Sequence, residues 1–152
     1  MILSSTKLPT KFRCDLTTGH GAIGVEFAGT NVTSTTRPLH RKTFKEAVDV
    51  SSTYVRDNLD LQWSEGFFRG FFTLEVTPQT LNAIYYSMKD VSEYFTPVNQ
   101  ALPVDSVQIK GFRNLDGFAI ANFVVNIGEN RLARPVAGGK VFSGALKSQV
   151  ID

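Results

Sequence analysis

The feature that most constrains the fold is a pair of aromatic-rich segments joined by a short turn. Residues 67–76 (FFRGFFTLEV) and 81–88 (LNAIYYSM) are dense in aromatic and aliphatic side chains, and Thr77-Pro78 separates them. Such runs favour a pleated strand, in which successive side chains point to opposite faces. The proline ends the first run because it cannot donate a backbone hydrogen bond. The two segments therefore predict an antiparallel hairpin.

A second strand pattern occurs earlier in the chain. In residues 21–30 (GAIGVEFAGT), Ile23, Val25 and Phe27 alternate with small or polar residues. This two-residue period predicts a half-buried strand. Near the C-terminus, the double glycine at 138–139 predicts a turn or bulge before a short last strand.

Another strand is predicted for residues 118–127 (FAIANFVVNI), which directly follow an Asp-Gly turn signal. Strict alternation along this segment would place Phe118 and Ile120 on one face of the sheet. It would place Ala121 and Phe123 on the other face, since neighbouring side chains in a regular strand point in opposite directions.

One helix is predicted, for residues 43–59. Thr43 and Glu46 match a capping box, in which each side chain bonds an otherwise unpaired backbone amide of the first helical turn. Residues at helical spacing then form one apolar stripe, and Asp57, Asn58 and Asp60 mark the end. The stripe comprises Phe44, Ala47, Val48, Ser51, Tyr54, Val55 and Leu59.

These elements predict an α+β fold, a predominantly antiparallel sheet of five or six strands with one main helix at about 43–59. The 152 residues fit a single domain, residues 1–152, with a linker around Pro97 and Pro103. The net charge of +2 is small and the basic residues are scattered, so we expect no nucleic-acid partner. No apolar run approaches the roughly 18 residues of a membrane helix, so we expect no membrane partner.

Candidate metal ligands are few. A zinc or dinuclear centre needs several His, Cys or carboxylate ligands at one point, and the chain has two histidines, His20 and His40. Cys14, Asp15, His20 and Glu26 are close in sequence and could supply one or two ligands. We favour the alternative that they form an ordinary loop beside a strand. The sequence predicts no self-contained metal site.

A nucleophilic catalytic motif is not found either. Ser143-Gly144 lacks the upstream glycine of the GxSxG turn that exposes a nucleophilic serine. Gly19-His20-Gly21 could present a catalytic histidine in a flexible turn. We favour a turn in which the two glycines supply backbone freedom.

Phosphate recognition is the binding chemistry that the residue pattern leaves open. Gly29 is followed by the hydroxyl side chains of Thr30, Thr33 and Ser34, and Arg37 adds a positive charge. Backbone amides and hydroxyls at the end of a strand can bind an anion. Thr30, Thr33, Ser34 and Arg37 are therefore the candidate substrate-binding residues, against the alternative of a solvated Ser/Thr loop.

The aromatic residues Trp63, Phe67 and Phe71 could form a platform for a carbohydrate or a protein partner. Aromatic side chains at this density more often fill the interface between sheets, because each buries a large apolar area. We therefore interpret Trp63, Phe67 and Phe71 as packing residues.

Three segments together resemble a known family. They are GAIGVEFAGTNVTS (21–34), NLDLQWSEGFFRGFFTLEVTP (58–78) and NRLARPVAGGKVFSGALK (130–147). In this order and spacing they are similar to the C-terminal part of PhoD-like (alkaline phosphatase D type) metallophosphatases of the fungal type. The resemblance extends over nearly the whole chain from about residue 17.

The resemblance implies a β-sandwich of the calcineurin-like metallophosphatases and hydrolysis of phosphate mono- or diesters by the complete enzyme. It also implies export from the cell and a divalent metal, calcium together with iron in the best-known bacterial type. The metal-binding motifs of the family precede GVEFAGT and are not found in this chain. The resemblance therefore assigns no catalytic residue and no metal ligand to any position of this sequence. We expect the chain alone to be inactive, its partner being the missing N-terminal portion of the same fold.

Two alternatives remain. The chain could be a non-catalytic β-rich module, derived from the same scaffold, that binds or regulates another protein. It could also be a small enzyme that uses His20 or His40.

Overall fold

A computed structural model describes residues 2–3, 14–29, 43–88 and 117–147. Within these ranges the chain forms one α-helix and seven strands, and the strands are arranged in two small antiparallel sheets. This confirms the predicted α+β class. The elements are β1 (Ile2–Leu3), β2 (Glu26–Phe27), α1 (Phe44–Asp57), β3 (Leu61–Ser64), β4 (Arg69–Val76), β5 (Thr80–Met88), β6 (Gly117–Asn126) and β7 (Ala145–Leu146). The predicted linker at 97–103 lies outside the described residues.

The larger sheet has the order β4-β5-β6 and contains the predicted hairpin. Phe72 of β4 pairs with Tyr85 of β5, and their rings stack with centroids 5.0 Å apart. The hydroxyl of Thr77 closes the turn by accepting hydrogen bonds from the backbone amides of Gln79, at 3.2 Å, and Thr80, at 3.0 Å. The strand begins at Arg69, two residues after the predicted start.

A β-bulge in β6 changes which residues are buried. Tyr85 pairs with Ala121, but the next residue of β5, Tyr86, pairs with Ala119, so Ile120 is the extra residue. The bulge shifts the alternation by one position, as an inserted residue must. Ile120, Ala121 and Phe123 are therefore all buried. The prediction that Ile120 and Ala121 lie on opposite faces of the sheet is wrong for this reason.

The smaller sheet has the order β2-β1-β3-β7, and none of its strands exceeds four residues. Among the described residues 21–29, only Glu26 and Phe27 are paired in a sheet, and Ile23 is 77% exposed. The predicted strand is too long because residues 20–21 form a turn, in which Gly21 has a φ of 80°, and residues 22–25 are irregular. The seven strands exceed the predicted five or six, since two-residue strands have no periodic pattern to detect.

The helix begins as predicted. The Glu46 carboxylate accepts a hydrogen bond from the Thr43 backbone amide at 2.8 Å, and the Thr43 hydroxyl accepts one from the Glu46 amide at 3.3 Å. It ends at Asp57, two residues before the predicted end, with Asn58 as the C-cap. Its buried face is narrower than predicted and comprises Ala47, Ser51 and Val55, whereas Phe44, Tyr54 and Leu59 are exposed.

The core lies between the two sheets and is centred on three fully buried aromatic residues, Trp63, Tyr85 and Phe123. The Trp63 ring lies 4.9 Å from Tyr85 and 5.4 Å from Phe123, in tilted or edge-on contacts. Aromatic pairs at such distances add to the stability gained by burial alone. No helix in the described part of the chain is long and apolar enough to cross a membrane.

Candidate functional site

The candidate phosphate contacts Thr30, Thr33, Ser34 and Arg37 lie outside the described residues. The structure describes the strand that leads to them as far as Gly29. His40 also lies outside the described ranges. The candidate loop therefore remains a prediction from the sequence.

Loop 14–22 contains three of the four candidate metal ligands. The Asp15 carboxylate accepts hydrogen bonds from the backbone amides of Thr17, at 2.8 Å, and Thr18, at 3.3 Å, and these bonds hold its pKa below the usual range. His20 is exposed. Among residues 14–29, 43–88 and 117–147, no three His, Cys, Asp or Glu side chains form a group that could hold a metal. The described residues do not fit the metal that the family resemblance implies.

Three side chains from segment 130–147 fix this loop. Arg131 Nη1 donates a hydrogen bond to the Thr17 carbonyl oxygen at 2.9 Å. The Arg134 guanidinium donates to the carbonyl of Leu16, and the Asn130 amide donates to that of Ala22. These bonds satisfy carbonyl groups of a segment with little regular structure, where ladder hydrogen bonds are few. Composition alone does not reveal them, because they join residues more than 100 positions apart.

A polar junction lies where β3 ends. The Trp63 Nε1 donates to the Ser143 carbonyl oxygen at 3.0 Å, and the Ser143 hydroxyl donates to the Glu65 carboxylate at 3.2 Å. Glu65 also accepts hydrogen bonds from the amides of Phe67, at 2.8 Å, and Phe68, at 3.1 Å. Burial raises the pKa of Glu65, and these hydrogen bonds act in the opposite direction. Ser143 is thus buried and bonded to a carboxylate.

The three candidate aromatic residues are in different environments. Trp63 is fully buried, which confirms its interpretation as a packing residue. Phe67 and Phe71 are 36% and 38% exposed. Phe71 stacks on Tyr86 across the hairpin, with ring centroids 5.3 Å apart. Phe67 contacts Phe44 edge-on at 5.3 Å. Both rings therefore pack on other aromatic rings while one side of each remains in solvent.

A cavity of about 240 Å³ lies between loop 14–22 and the end of β7. Gln62 of β3, Arg134 and Lys147 contribute its polar wall. The Lys147 ammonium donates to the carbonyl oxygens of Val55, at 2.8 Å, and Asn58, at 2.9 Å. Burial lowers the pKa of Lys147 and of Arg134, because it removes part of the hydration of each cation. No motif or local pattern in the sequence indicates this cavity, whose lining comes from distant parts of the chain.

Comparison with other proteins adds nothing to this description: no family model, no curated protein and no solved structure matches the chain. The residues, their contacts and the sequence resemblance are the basis for a functional proposal.

Proposed function

We propose that this chain is the C-terminal, scaffold-forming part of a PhoD-like metallophosphatase that hydrolyses phosphate esters when complete. One observation carries the proposal. The three segments that resemble the family, 21–34, 58–78 and 130–147, are far apart in sequence, and their described residues contact one another in the fold. Residues that a family shares for structural reasons are expected to meet in this way.

The contacts between the second and third segments are the most extensive. In the backbone ladder Trp63 pairs with Leu146, and Ser64 pairs with Ala145. The hydrogen bond from Trp63 to the Ser143 carbonyl connects the same two segments. The distinctive tryptophan of the second segment therefore has its polar partner in the third segment.

The first segment is attached to the same core. The Asn130 side chain donates to the Ala22 carbonyl, which joins the first segment to the third. Tyr85 donates its hydroxyl proton to the Ala28 carbonyl at 3.1 Å, which joins the first segment to the larger sheet. Burial raises the pKa of this phenol, so it remains a hydrogen-bond donor at neutral pH.

In this proposal the two small sheets are part of a calcineurin-like β-sandwich, and the missing N-terminal portion supplies the metal ligands. The phosphate of the substrate is contacted by Thr30, Thr33, Ser34 and Arg37. These residues follow the strand that is nearest in sequence to the missing metal-binding motifs. The chain alone is inactive, since a phosphatase of this kind uses bound metal to generate its nucleophile.

A second candidate function is that of a non-catalytic binding or regulatory module. The observation that favours it is the closed aromatic core, in which Trp63, Tyr85 and Phe123 are each 0% exposed within this chain. A core that is complete without another polypeptide supports independent folding.

Two measurements separate these candidates. The purified chain is assayed against a phosphate monoester and a diester, with and without calcium and iron, and is unfolded with urea. A scaffold part gives no turnover, and it gains turnover when joined to the metal-binding segment encoded upstream in the same frame. Unrelated sequence upstream, together with cooperative unfolding and no turnover, supports the module. Turnover by the chain alone that is lost in His20→Ala or His40→Ala overturns both.

The candidate loop has its own test in a catalytically complete relative that has the same loop residues. Thr33→Val and Arg37→Ala, numbered as in this chain, should raise KM, because each removes a donor to the substrate phosphate. Unchanged KM in both variants would remove the loop from the substrate site while leaving the scaffold proposal intact.

A further inference from the structure

Gln62 is a buried amide with an unused donor. The residue is 2% exposed, and its Nε2 has no hydrogen-bond partner among the described residues. Burying an amide donor without an acceptor is destabilising, because the group loses its hydrogen bonds to water and gains none in return. Gln62 also lines the cavity of about 240 Å³ at the end of β7. A ligand with an acceptor oxygen in this cavity would satisfy the donor.

Two positive charges lie in the wall of the same cavity. Arg134 donates to the Leu16 carbonyl, and the other donors of its guanidinium have no acceptor in the described part of the chain. A guanidinium presents its donors as a planar fork that matches the oxygens of a carboxylate or a phosphate. Lys147 lines the cavity too, although its ammonium already bonds the carbonyls of Val55 and Asn58. It contributes charge more than hydrogen bonds.

The charge of the cavity is not balanced by its own wall. No acidic side chain is among the described residues that line it, and the remainder of the wall includes Thr17, Val136 and Leu146. Asp15 acts electrostatically on Arg134, and Asp60 acts on Lys147, but neither carboxylate belongs to the lining. A bound anion would meet two cations and an amide donor in the wall, with Asp15 and Asp60 behind the lining residues.

We propose that this cavity binds a small oxyanion, a phosphate or a carboxylate, through the free donors of Arg134 and the Nε2 of Gln62. Lys147 adds a second positive charge. The site is separate from the predicted loop 30–37, and it does not depend on the chain being part of a phosphatase. The volume is below the roughly 300–1,000 Å³ of pockets that hold drug-sized ligands, which favours an anion of few atoms over a nucleotide.

The test is a titration of the full chain with inorganic phosphate or acetate, at an ionic strength kept constant with sodium chloride. The readout is the side-chain amide signal of Gln62 in the NMR spectrum, assigned with the Gln62→Leu variant. The single tryptophan gives one indole signal, which reports whether Trp63 keeps its bond to Ser143 and so whether each variant is folded.

A saturable shift of the Gln62 signal supports the proposal. The anion that binds with the lower Kd shows whether the site prefers a phosphate or a carboxylate. Arg134→Gln should weaken binding at least about tenfold, because it removes the charged fork. The matched control is Arg56→Gln, which removes the same charge from an exposed position and should change affinity less than about twofold.

Gln62→Leu separates a ligand-binding role from a structural one. Because it removes an unsatisfied donor, it should leave the unligated chain at least as stable as the wild type while weakening the anion-dependent rise in Tm. If this variant does not fold, the comparison of Arg134→Gln with Arg56→Gln decides. No shift of Gln62 with either anion at tens of millimolar overturns the proposal, as does equal weakening by the two arginine variants.

Discussion

The two sheets of this protein are assembled in opposite ways. The larger sheet consists of three strands of eight to ten residues that pair in the order β4-β5-β6, each with a neighbour along the chain. The smaller sheet joins strands of two to four residues from four separate parts of the chain, in the order β2-β1-β3-β7. One sheet is therefore local and continuous, whereas the other depends on distant segments meeting.

The difference extends to the interactions that stabilise each sheet. A long backbone ladder spreads its stabilisation over many hydrogen bonds, so the pairing of its strands does not depend on any single side-chain hydrogen bond. The smaller sheet has a short ladder and depends on side chains that bond backbone carbonyls elsewhere, such as Trp63 to Ser143 and Lys147 to Val55. Loss of a side chain that bonds a backbone carbonyl around the smaller sheet should therefore be more costly than loss of a partly exposed side chain on the larger sheet.

The largest effect is expected at Trp63. Trp63→Ala removes a fully buried ring from the core and leaves the Ser143 carbonyl without its donor. It should lower the free energy of unfolding by about 3–5 kcal/mol. Phe71→Ala on the larger sheet, where the ring is 38% exposed, is the comparison and should cost clearly less. Urea unfolding measures both, and equal losses would contradict the difference between the sheets.

The next effect concerns two glycines with similar backbone angles. Gly144 precedes β7 with a φ of 82°, and a Cβ there would meet the Ser64 carbonyl oxygen and the Trp63 indole nitrogen. Gly128 follows β6 with a φ of 75°, and a Cβ there would meet nothing within 4 Å. Both alanine variants strain the backbone, but Gly144→Ala should cost about 1–3 kcal/mol more because it also overpacks.

Thermal unfolding of the two glycine variants at equal concentration gives the comparison. If Gly128→Ala were as destabilising as Gly144→Ala, backbone strain alone would explain both losses. The close packing at the start of β7 would then have no separate energetic role.

A smaller effect is expected at Lys147. Lys147→Met keeps most of the side-chain length. It leaves the carbonyls of Val55 and Asn58, at the end of α1, without the ammonium that donates hydrogen bonds to them. The free energy of unfolding should fall by about 1–3 kcal/mol. Lys140→Met, at an exposed position, should change it by less than about 0.5 kcal/mol. A loss of similar size in the two variants would mean that the carbonyl bonds of Lys147 contribute little.

The smallest expected effect is a pH dependence that arises at Glu65. Because burial raises the pKa of this carboxyl above its ordinary 4.5, the folded protein binds a proton more tightly than the unfolded chain does. The contribution of Glu65 to stability is therefore full below pH 4.5 and is lost as pH rises through the raised pKa. As the pH rises from 4.5 through the raised pKa, the free energy of unfolding of the wild type should therefore fall relative to that of Glu65→Gln.

Urea unfolding of both proteins across this pH range tests the sign, and the other titrating groups cancel in the difference. A wild type that gains stability over Glu65→Gln with rising pH would show that the amides of Phe67 and Phe68 outweigh burial.

The sequence predicts the local parts of this fold well and the distant contacts poorly. The hairpin of β4 and β5 and the capping box at Thr43 are predictable because the residues that make them lie close together in the chain. The two-residue strands are not, since two residues cannot display a period. The bulge at Ile120 also leaves no pattern, because alternation looks regular on either side of it.

The candidate sites show the same limit. Arg134 and Lys147 are unremarkable surface-type residues in the sequence, and Gln62 gives no sign that it is buried. They share a cavity only because β3 and β7 pair and because Arg134 bonds the loop at Leu16. The prediction for the loop Thr30–Arg37 rests on hydroxyl and charge content, which the local sequence does display.

The order of the larger sheet also gives its two edges different accessibility. The backbone amides of Ala133 and Phe142 bond the Val124 and Ile120 carbonyls of β6, each at 2.7 Å, so the chain itself occupies part of that edge. Along the described residues, β4 pairs only with β5. An unpaired edge is a template for a further strand. Among the described residues, a further strand can therefore pair with the β4 edge, whereas the β6 edge is already partly bonded.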